Sequence, residues 1–194
     1  MIARRWPAAL CTGVFMVAVA FTARAQSAQP YSIQASFLAA SQKIGDRLVS
    51  GPGFEGQLRY TPASLWSVGV GFQYSSHTSG GDEIRIMGGF IEPRYAFDIG
   101  SDRVAPYIAG RIALLRQVLT LDEQPLLEFS SGGTAFGGGA GMLIRLSPKV
   151  NIDLGAAFVS QGFRDASDGP VEIRFNRFSG YIAKAGFSLG FGTR

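Results

Sequence analysis

The sequence predicts an all-β fold: one eight-stranded antiparallel up-and-down β-barrel. Three observations carry that expectation. After Gln26, apolar residues recur at every second position over segments of about ten residues, with no helical period of useful length. Tight turns and longer links alternate between those segments. Charged residues make up only 16% of the chain against about 25% in soluble domains, and 26 glycines in 194 residues are nearly twice the usual ~7%. That composition excludes disorder, a coiled coil and a nucleic-acid-binding tail.

The chain opens with a different signal. Arg4 and Arg5 precede an apolar stretch from Pro7 to Phe21, and Ala23-Arg24-Ala25 follows. A positive start, an apolar core and an A-x-A site describe a secretory signal peptide over 1–25, cleaved before Gln26, which leaves 26–194 as one barrel domain. The apolar core is short of the ~20 residues that a membrane-spanning helix needs. Cleavage removes three arginines and no acid, so the formal charge drops from +4 to +1. It also removes Cys11, the only cysteine, and the barrel is left without disulfide or Cys-based metal chemistry. A single histidine rules out any site that needs two.

The expected strands span 31–41, 53–61, 65–77, 83–98, 104–119, 129–146, 150–163 and 172–191. The first carries Gln34 and Ser36 on its polar face, and the second carries Glu55, Gln57 and Arg59. The third alternates most cleanly: Trp66, Val68, Val70, Phe72 and Tyr74 oppose Ser67, Gly69, Gly71, Gln73 and Ser75. Glu92, Arg94 and Asp98 mark the polar face of the fourth, Tyr107 and Arg111 that of the fifth, and Arg145 that of the sixth. In the seventh, Val150, Ile152, Leu154, Ala156 and Phe158 oppose Asn151, Asp153, Gly155 and Ala157. In the eighth, Tyr181, Ala183, Ala185, Phe187, Leu189 and Phe191 oppose Lys184, Gly186, Ser188 and Gly190. Tight turns fall at 61–64, 99–103 and 147–149, and longer or more polar links are expected around 42–52, 78–82, 120–128 and 164–171.

Polarity decides which way the barrel faces. A soluble barrel keeps its apolar face inside, around a ligand. Here the opposite face carries the charges, and a cavity lined by them would be costly to desolvate. Facing lipid, each mid-bilayer Arg or Lys would cost ~2–4 kcal/mol. The consistent arrangement is a transmembrane barrel, apolar wall outward and charges in the lumen, with short periplasmic turns and longer outer loops. Tyr31, Tyr60, Trp66, Tyr95, Phe97 and Phe191 fall at strand ends beside the short turns, where a closed barrel gathers them into a periplasmic aromatic girdle. Phe54, Tyr74, Phe129 and Phe175 are expected near the opposite ends.

On these segments, and on the terminal run Lys184-Ala185-Gly186-Phe187-Ser188-Leu189-Gly190-Phe191, the sequence resembles the OmpA/OmpX-like eight-stranded outer-membrane β-barrels. The resemblance implies an outer-membrane location and a C-terminal insertion signal at Lys184, Gly186, Leu189 and Phe191, read by the barrel-assembly machinery. Family members commonly end on the aromatic; here Gly192-Thr193-Arg194 follow.

Eight strands leave an interior that side chains can fill. Acids Glu55, Glu92, Asp98 and Asp153 face bases Arg59, Arg94, Arg111, Arg145 and Lys184, a near balance that predicts a polar plug rather than a pore lined by one sign. Gly137-Gly138-Gly139 has no following Gly-Lys-Ser/Thr and reads as strand packing, not a phosphate loop. His77, Ser79 and nearby Glu83 are the one arrangement that hints at acyl transfer, and they look a little like the His-x-Ser motif of lipid A deacylases. Lys43, Arg47, Arg116, Arg164, Arg174 and Arg177 near outer strand ends could meet lipopolysaccharide phosphates, although Asp122, Glu123, Glu128, Asp165, Asp168 and Glu172 are interleaved with them. The expected protein is a monomeric, non-enzymatic outer-membrane barrel without cofactor or nucleic-acid partner, in contact with outer-membrane lipids and lipopolysaccharide, its loops meeting an extracellular partner. A narrow pore and a lipid A deacylase are the alternatives.

Overall fold

The computed structural model describes residues 29–192 except 45–46, 123–127, 165, 169–170 and 174–177. The expected leader 1–25 and Phe175 therefore lie outside the described residues.

Alternation produces strands here because each backbone N–H and C=O finds its partner on a neighbouring strand while side chains sort to two faces. The strands are β1 (Tyr31–Ile44), β2 (Arg47–Tyr60), β3 (Trp66–Ser79), β4 (Asp82–Ala96), β5 (Val104–Thr120), β6 (Glu128–Arg145), β7 (Val150–Phe163), two short strands β8 (Ala166–Asp168) and β9 (Val171–Ile173), and β10 (Phe178–Phe191). Eight of them close a barrel in the order β1-β10-β7-β6-β5-β4-β3-β2, every neighbour antiparallel. The seam joins the first strand to the last, from Tyr31 opposite Phe191 to Gln42 opposite Gly180. Closure leaves no unpaired sheet edge.

The links differ from expectation on one side. The region 42–52 is not a loop: β1 and β2 stay paired out to Ile44 opposite Arg47. Around 78–82 there is likewise a two-residue turn, Gly80-Gly81, both at positive φ (66° and 101°) as primed hairpin turns require. Polar residues in these stretches resemble loop composition because the outward face there has left the apolar belt, while the backbone ladder continues. The last barrel strand begins at Phe178 rather than 172, and β8 and β9 form a small separate hairpin in the link before it. The fourth strand ends at Ala96, so Asp98 belongs to the following turn, where its Oδ1 accepts from the Gly100 N–H (2.9 Å). The short-turn side also holds both described chain ends: Thr61 N–H donates to Pro30 O and Gly190 N–H donates to Lys149 O.

Candidate functional site

The outer wall carries the first chemical feature. Phe37 is 81% exposed, Leu114 71% and Phe187 63%, and exposed Ile, Val, Leu and aromatic side chains continue around all eight strands. This apolar surface runs unbroken round the barrel, far beyond the few hundred Å² that a water-facing surface carries in one patch. Aromatic pairs mark its border on the short-turn side. Tyr31 stacks on Tyr60 (5.2 Å between centroids) and on Phe191 (5.8 Å), Trp66 packs edge-on against Tyr95 (5.0 Å), and Tyr95 packs edge-on against Phe97 (5.2 Å). Two further pairs, Phe54–Tyr74 (5.4 Å) and Phe158–Tyr181 (5.5 Å), lie farther up the wall. Past them polar residues join the outward positions: Ser41 and Ser50 share a hydrogen bond, as do Ser76 and Glu83, and Arg116 and Ser130. From Phe191 to Tyr181 is ten residues, about 25 Å of height at ~3.3 Å per residue and the ~40° tilt of such strands. Phe129 is not part of an outer girdle; it is buried, on the inward face of β6.

The lumen carries the second. Glu92 sits where four cations converge. Its Oε1 accepts from Arg59 Nη2 (2.9 Å), Arg94 Nε (2.9 Å) and Lys184 Nζ (3.2 Å). Its Oε2 accepts from Arg111 Nε (3.0 Å), Arg111 Nη2 and Lys184 Nζ (3.2 Å). Glu55 shares Arg111 (2.7 Å) and Lys184 (3.3 Å). Asp153 takes Arg94 Nη2 (2.7 Å), Gln34 Nε2 (2.6 Å) and the Tyr107 hydroxyl (2.6 Å). Arg59 also donates to Gln57 and Ser67, and Arg111 to Gln73. Arg94 lies over the Tyr107 ring (4.2 Å) and Arg111 over Phe90 (4.0 Å), so each planar guanidinium is held on a face as well as by its edges. A Cβ at Gly141 would overlap the Tyr107 ring, which gives that glycine its place opposite Tyr107 in the register.

The network fills only the half of the lumen beside the short turns. Farther out, apolar and neutral polar side chains share the inward positions, Gln42, Ser75, Gln117, Ser131 and Gln161 being buried beside two apolar clusters. Ile84, Ile86, Phe90, Ala113, Leu115, Ala135 and Phe163 form one cluster, and Leu38, Ala40, Val159 and Ile182 form another. Around the network the structure leaves water-sized cavities. One of about 20 Å³ is lined by Glu92, Tyr107, Arg111 and Lys184 among others, and one of about 30 Å³ lies nearer the short turns.

Compared by sequence, the chain matches no family model and no curated protein. Compared by structure, it is similar to Neisserial surface protein A, with a TM-score of 0.67 and 18% identity over 86% of this chain and 100% of that one. It is similar also to Ail, the attachment invasion locus protein of Yersinia pestis, with a TM-score of 0.52 and 16% identity over 82% of this chain and 97% of that one. The chain has the fold of the OmpA/OmpX-like eight-stranded barrels.

Within this OmpA/OmpX-like barrel, Glu55, Arg59, Glu92, Arg94, Arg111, Asp153 and Lys184 come together in the lumen. Asp98 does not join them, since it caps the 97–103 turn. Arg145 lies at the short-turn end of β6, opposite Asn151. Of the terminal run, Lys184 and Gly186 face inward, while Leu189 and Phe191 stand exposed on the wall.

The three candidate acyl-transfer residues are not assembled. His77 is buried with its Nε2 3.2 Å from Ser75 Oγ, and Ser79 pairs with Asp82 at the hairpin end. Glu83 points to the other side of the wall, where it accepts from Ser76 Oγ (2.9 Å). Strand alternation sets Glu83 apart from His77: an odd position in β3 faces inward, an odd position in β4 outward. Of the basic set, Lys43, Arg116 and Arg164 are exposed on the outer half. The side chains of Arg47, Arg174 and Arg177 lie outside the described residues. Sequence reasoning missed Arg85, which pairs with Glu128 (2.6 Å) across the hairpin ends. It also missed the apolar clusters of the upper lumen, although Ile84 and Ile86 stand in phase with Glu92 and Arg94.

Proposed function

We propose that the chain is an integral outer-membrane protein whose barrel is a closed anchor and whose outer rim and links make its contacts. The observation that carries this reading is the inverted polarity: an exposed apolar belt bordered by aromatic pairs outside, an ion-pair network inside. Only a lipid surround makes both faces favourable at once. The lumen supports an anchor over a pore. The charged half is cross-linked by bonds among seven side chains, and the apolar clusters lie beyond it along the same axis.

Contact with lipopolysaccharide is part of the same proposal. Arg116 occupies the first outward position past Leu114, where the belt ends and phosphate groups are in reach of a guanidinium. Lys43 and Arg164 stand exposed at the same end of the barrel. Recognition of β10 by the barrel-assembly machinery, through Gly186, Leu189 and Phe191, accounts for its insertion.

Membrane fractionation with heat-dependent gel mobility, combined with protease added outside intact cells, tests the reading. The expected result is a membrane-bound, heat-modifiable band cut from outside within 121–127 or 164–177. A soluble periplasmic monomer, or a band cut only at 97–103 or 146–149, overturns it.

A further inference from the structure

The lumen network holds more positive than negative charge. Glu55, Glu92 and Asp153 face Arg59, Arg94, Arg111 and Lys184, one cation in excess within the bonded cluster. Glu92 is saturated: six donor contacts converge on a carboxylate that offers about four lone-pair sites. Two donors are left over. Arg94 Nη1 and Arg59 Nε are buried and meet no protein acceptor. Both arginines line the same cavity of about 30 Å³, above the ~10–15 Å³ of such space that one water needs.

The rest of that lining is suited to an anion. Ser32, Ser67 and Ser188 bring hydroxyls and Asn151 an amide, while among the described residues no carboxylate lines it. An uncompensated charge in a low-dielectric interior is costly, and a small counter-ion beside the two spare donors offsets it.

We propose that this cavity at the short-turn end of the lumen is a binding site for one small monovalent inorganic anion of the halide class, held by Arg59 and Arg94. The ion completes the network and ties its stability to the anion on the short-turn side of the membrane. A small anion fits the space of about 30 Å³, and a single negative charge matches the single surplus.

The test uses the mature chain folded in detergent micelles. Thermal unfolding is compared in sodium chloride, sodium bromide and sodium gluconate at equal ionic strength, and crystals grown in bromide are examined for anomalous scattering. The expected outcome is a saturable rise of several degrees in chloride and bromide over gluconate, with a bromide peak between Arg59 and Arg94. Asn151→Asp, nearly isosteric, places a negative charge in the cavity, and its midpoint is expected to be the same in all three salts. Coincident wild-type midpoints, a halide rise retained in Asn151→Asp, or electron density without anomalous signal at the site each overturn the proposal. If Asn151→Asp does not fold, the wild-type anomalous signal decides alone.

Discussion

The half of the lumen beside the short turns and the half beyond it occupy the same cylinder of strands and are filled differently, one by ion pairs and the other by apolar clusters among neutral polar side chains. In the first, Arg59, Glu92, Arg94, Arg111, Asp153 and Lys184 are tied by directional bonds of 2.6–3.3 Å, each side chain holding several others in one orientation. In the second, Leu38, Ile86, Leu115, Val159 and Ile182 fill space by contact, beside the buried neutral amides Gln42, Gln117 and Gln161. The first kind of filling fixes which strand sits beside which, because a shifted register would leave a charge unmatched in a narrow interior. The second tolerates small shifts and supplies transfer free energy instead. One barrel thus separates specificity of closure from bulk stabilisation along its axis.

Four substitutions sharpen that contrast, all read by urea unfolding in lipid vesicles through Trp66, the one tryptophan outside the expected leader. The largest expected effect is Glu92→Ala. It leaves four cations facing one another around a missing carboxylate, a loss of about 3–5 kcal/mol. An effect no larger than that of Lys184→Met would break the comparison. Leu115→Ala in the apolar half creates a cavity at a cost of about 3 kcal/mol, with little change in the unfolding slope. Tyr107→Phe removes the 2.6 Å hydroxyl bond to Asp153 without touching the ring under Arg94, and is expected to cost about 1.5–3 kcal/mol. The smallest effect belongs to Lys184→Met, about 1 kcal/mol or less, because Glu55 and Glu92 keep their arginines and the surplus charge disappears. If Lys184→Met instead destabilises as much as Glu92→Ala, the network is balanced and the surplus is not real.

The sequence made the wall legible because the outer wall and the lumen carry opposite polarity at adjacent positions. Trp66 to Ser75 alternates for that reason, and so does Tyr181 to Phe191. The network's members were legible as polar residues on one face. Their pairing was not: Gln34 meets Asp153 across 119 positions and Lys184 meets Glu55 across 129, separations that only the closed barrel brings to zero. The upper hairpins were misread because strand propensity and membrane depth leave different marks. Ser50, Gly51, Pro52 and Gly53 look like a link once the outward face meets water, yet the ladder to β1 continues through them. His77 and Glu83 looked like a pair by nearness in sequence, and the two-residue period put them on opposite sides.

The seam between Tyr31–Ile44 and Phe178–Phe191 has a temporal meaning. The first strand to emerge has no partner on one flank until the last strand has been made, and Glu55 and Glu92 have no Lys184 until the same moment. A chain that lacks its final strand is therefore not most of a barrel. It is an open sheet with two bare edges and an interior still short of one of its charges, and it has to be sheltered until the end arrives.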